Sequence, residues 1–140
     1  MEVAVNWYFR VLDWERSRTG HQYMAKGLLV SPSGTAWDAV SGPFTKGVLP
    51  QGEYVISNCR LRTGTAMRAP MSDLAGNFWS CDLSDKPEFG RDLLRIHPDG
   101  NGQGTEGCIG LTQRDTLEVF QALQHSSSSK LIVEFIAPTP

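Results

Sequence analysis

Apolar and polar side chains alternate with a period of two in several stretches of this chain. In residues 3–12 the apolar side of the alternation consists of Val3, Val5, Trp7, Phe9 and Val11. A period of two places successive side chains on opposite faces of an extended backbone, so this stretch predicts an opening β-strand. A fold built from such strands must bury one face of each strand against a shared core.

A hairpin and several further strands follow the opening strand. Residues 28–30 and 35–40 flank the segment 31–34, whose Pro and Gly supply the backbone angles of a tight turn. The other predicted strands are residues 54–56, 78–83, 93–96 and 131–136. We therefore expect a mainly β fold.

One helix is predicted in the C-terminal half of the chain. Thr112 suits the N-cap, and Asp115 follows three positions later, near the positive end of the helix dipole. The helix should end near His125. One apolar stripe is predicted from Leu117, Val119, Phe120 and Leu123.

Composition and charge narrow the class of protein. A chain of 140 residues without a linker-like stretch predicts one domain over residues 1–140. The net charge of −2 offers no electrostatic basis for binding nucleic acid, and no apolar run approaches the roughly 20 residues of a membrane-spanning helix. The first residues lack the basic-then-apolar pattern of a secretory signal, so we expect synthesis in the cytoplasm without a signal peptide.

An imidazole and a thiol stand on either side of a short glycine-rich loop. Cys108 follows His97 by 11 positions. A thiol attacks carbonyls as the thiolate, and a free Cys with a pKa of about 8.5 is mostly protonated at neutral pH. If the loop 98–104 folds back, His97 becomes the base and Cys108 the nucleophile. Gly107 and Thr105 lie just before the thiol, and we expect backbone N–H groups there to form an oxyanion hole.

These residues resemble the active-site signature of the L,D-transpeptidase catalytic domain. His97 and the run Thr105-x-Gly107-Cys108-Ile109 resemble its His and its Ser/Thr-x-Gly-Cys-aliphatic motif. Residues 49–56 resemble the Pro-x-Gly-x-aromatic strand upstream of that site, and residues 17–43 resemble its small branch of type VI secretion effectors, which has a similarly short loop. The resemblance implies a mainly β fold, an L,D-transpeptidase-like β-sandwich with one α-helix in its C-terminal half.

Two positions depart from the pattern of that family. Glu106 replaces a residue that is often His or Lys, and Gly110 stands where many members carry an Arg that contacts a substrate carboxylate. Arg95 shares a strand face with His97, so we expect Arg95 to replace this contact, with an exposed strand Arg as the alternative.

The family implies roles for three more residues. Its His is often oriented by the backbone carbonyl that follows it, here that of Pro98, with the side chain of Asp99 as an alternative. Thr105 and Asp99 are also expected to lie beside the substrate.

The resemblance implies a peptidoglycan-modifying cysteine enzyme without metal or cofactor. Its thiolate would attack the carbonyl at the L-centre of diaminopimelate in a stem peptide, release D-alanine and leave a thioester. The acceptor decides between L,D-carboxypeptidase activity, D-amino-acid exchange and cross-linking. The small size and the absence of a signal pattern predict an antibacterial effector or phage-type enzyme that reaches the periplasm of a target cell by another route. Stem peptides and an immunity protein are its expected partners.

Several alternatives stay open at this point. A non-catalytic peptidoglycan-binding or phage structural module could retain the fold. Cys59 and Cys81 either pair as a disulfide or remain buried free thiols, and the frequent burial of free Cys favours the second. A papain-like enzyme would need one of them ahead of His97 as the nucleophile, without a matching flank. The segment 63–73, with Met67, Arg68 and Met71, is either a lid over the cleft or, as we favour, an ordinary surface loop.

Overall fold

The computed structural model describes residues 6–16, 22–62, 71–100 and 102–140. Within these ranges the chain forms eight strands and one α-helix, which confirms the prediction of a mainly β fold with a helix in the C-terminal half. A short 3₁₀ helix spans Pro87–Phe89. The strands are β1 (Trp7–Arg16), β2 (Tyr23–Val30), β3 (Ala36–Ser41), β4 (Gly52–Leu61), β5 (Trp79–Leu83), β6 (Arg95–Pro98), β7 (Ile109–Leu111) and β8 (Lys130–Phe135), with helix α1 (Leu117–His125) between β7 and β8.

The strands close into a single barrel in the order β1-β2-β3-β7-β6-β5-β4-β8. Closure depends on β8, which pairs in parallel with β1 and antiparallel with β4, so that Leu131 is opposite Trp7 on one side and Tyr54 on the other. The predicted β-sandwich of two stacked sheets is therefore corrected, because one sheet closes on itself and uses both edges of β8.

The inward faces of the strands form the core of the barrel. Trp7, Phe9 and Val11 of β1 are buried, as the period of two predicts, whereas Val3 and Val5 lie outside the described residues. The alternation in β1 ends at a register shift between Val11 and Asp13. The same core includes Leu29, Trp79, Ile96, Ile109, Leu111, Leu131 and Val133.

Helix α1 begins later than predicted and ends where predicted. Its N-cap is Thr116 and not Thr112, because the Asp73 carboxylate accepts hydrogen bonds from both the backbone N–H and the hydroxyl of Thr116, each at 2.7 Å. The Thr116 hydroxyl in turn accepts the indole N–H of Trp79 at 2.7 Å. The helix ends at His125.

The predicted apolar stripe of α1 is confirmed at three of its four positions. Val119, Phe120 and Leu123 are buried against the barrel, whereas Leu117 is exposed because the helix starts only at that residue. Within the described ranges, no helix has the length and hydropathy of a membrane-crossing segment.

Cys59 of β4 and Cys81 of β5 form a disulfide between neighbouring strands. The two residues meet within an irregularity of the β4–β5 pairing, between Ser57 and Arg60. The favoured prediction that Cys59 and Cys81 are free thiols is therefore wrong. Of the three cysteines, Cys108 is the one that remains free.

Removal of the disulfide is expected to destabilise the barrel. The double substitution Cys59→Ala and Cys81→Ala should lower the free energy of unfolding by about 3 kcal/mol, because a cross-link between residues 22 positions apart restrains the unfolded chain. Urea denaturation of the oxidised proteins measures the difference. Cys108→Ala is the matched control, since it removes a thiol without removing a cross-link. Equal unfolding free energies for the double variant and the wild type would contradict the assignment.

Candidate active site

The parallel pairing of β6 with β7 brings the predicted nucleophile and base to one face of the barrel. Ile96 is level with Ile109, and His97 is level with Gly110. Because Ile96 and Ile109 both point into the core, the side chains that alternate with them point outward. Arg95, His97 and Cys108 consequently meet on the outer face of two adjacent strands, as the sequence predicts for Arg95 and His97.

A groove of about 460 Å³ lies over this outer face. Among the predicted site residues, Cys108, His97, Arg95 and Thr105 line it, while Pro98, Gly107 and Asp99 lie behind its wall. Of the segment 63–73, for which we favoured an ordinary surface loop, Met71 lines the groove, and Met67 and Arg68 lie outside the described residues. The described residues that line it are Phe44, Met71, Leu93, Arg95, His97, Gln103, Gly104, Thr105, Glu106 and Cys108.

The imidazole of His97 is held by a backbone carbonyl. Its Nδ1 lies 2.6 Å from the carbonyl oxygen of Pro98, the partner that the sequence predicts. A carbonyl only accepts hydrogen bonds, so Nδ1 carries the proton and Nε2 keeps a free lone pair. Burial lowers the pKa of His97, which is 5% exposed, and the imidazole is therefore neutral at neutral pH. This is the protonation state that a general base requires.

The thiol of Cys108 is protonated in the resting protein. Burial raises its pKa, and the negative charge of Glu106 acts in the same direction. The backbone N–H and the guanidinium of Arg95 act against this rise, as does the charge of Arg91. The sulfur contacts the carbonyl oxygen of Leu93 at 4.0 Å. The described hydrogen bonds include none between this sulfur and the imidazole, as is common for catalytic pairs without substrate.

Thr105 holds the loop that carries the thiol. Its hydroxyl donates to the carbonyl of Cys108 at 2.6 Å and accepts the N–H groups of Gly42 at 3.1 Å and Gly107 at 3.2 Å. One donor and two acceptor positions are all that a hydroxyl offers. Although Thr105 lines the groove, its hydroxyl is fully used within the protein, and the expected contact with substrate is corrected to a role in positioning Cys108.

Gly107 is required by its surroundings. Its N–H donates to the hydroxyl of Thr105 and is not available to an oxyanion, so the expected oxyanion hole stays a prediction for the other backbone N–H groups near the thiol. Its φ of +120° lies in a region that residues with a Cβ rarely adopt, and a Cβ there would overlap Nη2 of Arg91. The missing side chain therefore makes room for a buried guanidinium.

Asp99 organises the loop from below the groove. It is fully buried, and its Oδ2 accepts the N–H of Gly104 at 2.9 Å. Burial raises the pKa of its carboxyl group to about 6, and Oδ1 has no hydrogen-bond partner among the described residues. The expectations that Asp99 orients His97 or contacts substrate are thus wrong, because the side chain faces the loop interior.

The packing around Asp99 explains why position 110 is a glycine. A Cβ on Gly110 would lie 2.7 Å from Cβ of Asp99 and 3.0 Å from Cγ2 of Thr105. Both distances are shorter than van der Waals contact between carbon atoms. No side chain fits at this position, so the arginine that many transpeptidases carry there has no equivalent.

Arg95 is a cation that lines the groove. Its Nε lies 3.5 Å from Oδ1 of Asp82, which also accepts a shorter contact of 3.2 Å from Nη1 of Arg60. Burial acts to raise the pKa of Asp82, but hydrogen bonds from Asn58 and Arg60 and the two guanidinium charges hold it below its usual range. Because Asp82 is shared, Arg95 retains N–H groups that can bind an anion in the groove.

Sequence reasoning missed Arg91 and the apolar rim of the groove. Arg91 is buried beside Gly107, in a turn that no sequence motif marks. Phe44 and Leu93 are exposed apolar side chains at the rim, and Leu93 has a φ of +53°, which is rare for a branched residue. Strained residues of this kind cluster at functional sites, but a sequence carries no signal for them.

Comparison with known proteins identified no relative of this chain. No family model, no curated protein and no solved structure matches the chain. Within the part of the chain that the structure describes, no three His, Cys, Asp or Glu side chains gather into a group that could hold a metal ion. The chemistry of the site must be argued from its own residues.

The role of Thr105 can be tested by removing its hydroxyl at constant shape. Thr105→Val leaves the N–H groups of Gly42 and Gly107 and the carbonyl of Cys108 without this partner, and we expect a loss of about 3 kcal/mol of stability. Alkylation of Cys108 by iodoacetamide should also change in rate, since the loop loses its brace. Thr35→Val, at an exposed turn position, is the control. A variant as stable and as reactive as wild type would refute this role.

Proposed function

We propose that this protein is a peptidoglycan-modifying cysteine enzyme with an L,D-transpeptidase-like domain. It acts on stem peptides at the diaminopimelate–D-alanine bond, as an L,D-carboxypeptidase, an L,D-transpeptidase or a D-amino-acid exchange enzyme. The support rests on one observation: the only free thiol lines an open groove beside an imidazole whose Nδ1 is fixed by a carbonyl.

The first half of the reaction forms a thioester. When substrate fills the groove, Nε2 of His97 accepts the proton of the Cys108 thiol, and the sulfur attacks the carbonyl carbon at the L-centre of diaminopimelate. The carbon–nitrogen bond to D-alanine breaks, and His97 returns its proton to the leaving amine. The Pro98 carbonyl stabilises the imidazolium that exists between these two proton transfers.

The second half transfers the acyl group to an acceptor. Water, a free D-amino acid or the amine of another stem loses a proton to His97 as it attacks the thioester carbon, and the thiolate leaves and is reprotonated. These acceptors yield a shortened stem, an exchanged stem and a cross-link, respectively. The order of steps requires a protonated thiol and a neutral imidazole at the start, which agrees with the raised pKa of Cys108 and the lowered pKa of His97.

The walls of the groove suit a stem peptide in two ways. Arg95 offers positive charge for a peptide carboxylate, and stems carry several carboxylates close to the scissile bond. The groove also has apolar walls. The side chains of Phe44, Leu93 and Met71 can cover the aliphatic part of diaminopimelate.

The disulfide supports the proposed place of action. Disulfides persist in oxidising compartments such as the bacterial periplasm and are rare in the cytosol. We propose that the protein is an antibacterial effector or phage-type enzyme that works in the periplasm of a target cell. An immunity protein that covers the groove would protect the producer.

The decisive experiment follows D-alanine release from purified tetrapeptide muropeptides. Wild-type protein should release D-alanine, Cys108→Ala should release none above background, and His97→Gln should be slower by roughly 10²- to 10⁴-fold because it lacks the base. His125→Gln, at an exposed position at the end of α1, is the matched control and should retain full activity. Products are separated by liquid chromatography, with and without added D-amino acid to detect exchange.

A non-catalytic peptidoglycan-binding or phage structural module remains a second candidate. The observation that favours it is that the Cys108 sulfur contacts the carbonyl of Leu93, while the described hydrogen bonds include none between this thiol and the imidazole. Under this alternative, muropeptides bind to wild type and to Cys108→Ala equally and are recovered unchanged. That outcome would reject the enzymatic proposal.

Arg95→Gln is expected to weaken substrate binding selectively. Loss of a charged hydrogen bond should raise KM about tenfold. Stem peptides can be amidated at one carboxylate at a time, and the increase in KM should vanish when the carboxylate that Arg95 binds is the amidated one. Arg10→Gln is the matched control, because Arg10 pairs with Glu134 of β8 and does not line the groove. If Arg95→Gln raised KM equally for the unmodified stem peptide and for every amidated one, Arg95 would not contact a substrate carboxylate.

A further inference from the structure

Arg91 is a buried cation whose partners are all neutral. Its side chain approaches three successive backbone carbonyls: Nη1 lies 3.2 Å from that of Lys46 and 3.1 Å from that of Val48, and Nη2 lies 3.3 Å from that of Gly47. The residue is only 6% exposed. Among the described residues, no carboxylate lies within ion-pair distance of this guanidinium.

Such an arrangement leaves the positive charge uncompensated. Carbonyl dipoles satisfy the N–H groups, but they do not cancel a full charge, and buried arginines are normally paired with acids. Charges also act over longer distances inside a protein than in water, because the surroundings screen them less. The charge of Arg91 is therefore felt by groups that it does not touch.

The charge of Arg91 acts to lower the pKa of the Cys108 thiol, as it does for the pKa of the Tyr54 phenol. Gly107, directly before Cys108, has no Cβ, and the guanidinium occupies the space where one would stand. The charged or titratable groups that face Cys108 are Arg95 and His97 from β6, Glu106 from its own loop, Asp99 behind the wall, and Arg91.

The same guanidinium completes a brace around the nucleophile. Thr105 binds one end of the segment 42–48, through Gly42 and Phe44, and Arg91 binds the carbonyls at the other end. The loop of the nucleophile is thus fastened to this segment by Thr105, while Arg91 fills the space between the segment and Gly107.

We propose that Arg91 is a positioning residue for Cys108, and that its buried positive charge favours the thiolate which the reaction must form. Burial alone would disfavour this anion, and Glu106 adds to the penalty. Arg95 offsets part of it at the open side of the groove, and Arg91 offsets a further part from the closed side. The inference concerns the reactivity of the thiol, so it stands or falls independently of the substrate.

The test is the pH dependence of Cys108 alkylation by iodoacetamide, since the other two cysteines are in the disulfide. Arg91→Gln should move the midpoint of the alkylation profile to higher pH, because a neutral side chain no longer favours the thiolate. At pH 7 the alkylation rate should fall by less than the loss of thiolate alone would give, because a more basic thiolate is also a better nucleophile. Arg91→Lys retains the charge but loses the planar guanidinium that reaches three carbonyls. This variant should unfold at a lower temperature, with an almost unchanged midpoint of the alkylation profile.

Two further variants complete the design. Arg10→Gln removes a partly exposed guanidinium that pairs with Glu134 and does not line the groove, and it should leave the midpoint unchanged. Arg91→Met is a second neutral variant in case Arg91→Gln does not fold. A midpoint at the wild-type value in a neutral variant, or equal shifts in Arg91→Lys and Arg91→Gln, would overturn the proposal. Failure of both neutral variants to fold would assign Arg91 to structure alone and would overturn it as well.

Discussion

The candidate site depends on the parallel pairing of β6 with β7. Only this pairing makes Cys108 a neighbour of His97, since the two strands continue in the same direction from one edge of the barrel. Parallel strands usually need a connection of a dozen or more residues, often with a helix. Here residues 99–108 make the return without one. The short path explains why the loop is rich in glycine and held by internal hydrogen bonds.

Those hydrogen bonds are made by polar side chains that the sequence analysis expects to lie beside the substrate. Thr105 uses its whole hydrogen-bonding capacity on the loop and on the neighbouring segment, and Asp99 is enclosed with one oxygen bound to Gly104. Polar residues near Cys108 thus either hold the loop or face the groove, and their burial decides which. Arg95 and Glu106 remain on the groove and are available to a ligand.

Local patterns predicted much of the fold and of the site. The buried face of β1, the hairpin turn between β2 and β3, and the end of α1 follow from side-chain period and turn residues alone. The contact of His97 with the Pro98 carbonyl was expected from the family resemblance and not from a local pattern. Barrel closure was not predictable, because the two neighbours of β8 are set by contacts across the whole chain. The start of α1 likewise depends on Asp73, and the role of Gly107 depends on Arg91.

The protonation states of the site also fit the proposed surroundings. Oxidants attack the thiolate more readily than the thiol, so an exposed low-pKa cysteine would be lost in an oxidising compartment. Burial raises the pKa of Cys108, and in the proposed reaction this thiol loses its proton only when substrate and His97 act on it together. The disulfide removes the other two thiols from competition and leaves Cys108 without an internal partner. A resting thiol with a raised pKa is therefore compatible with a nucleophile, provided that nearby positive charge limits the cost of ionisation when the groove fills.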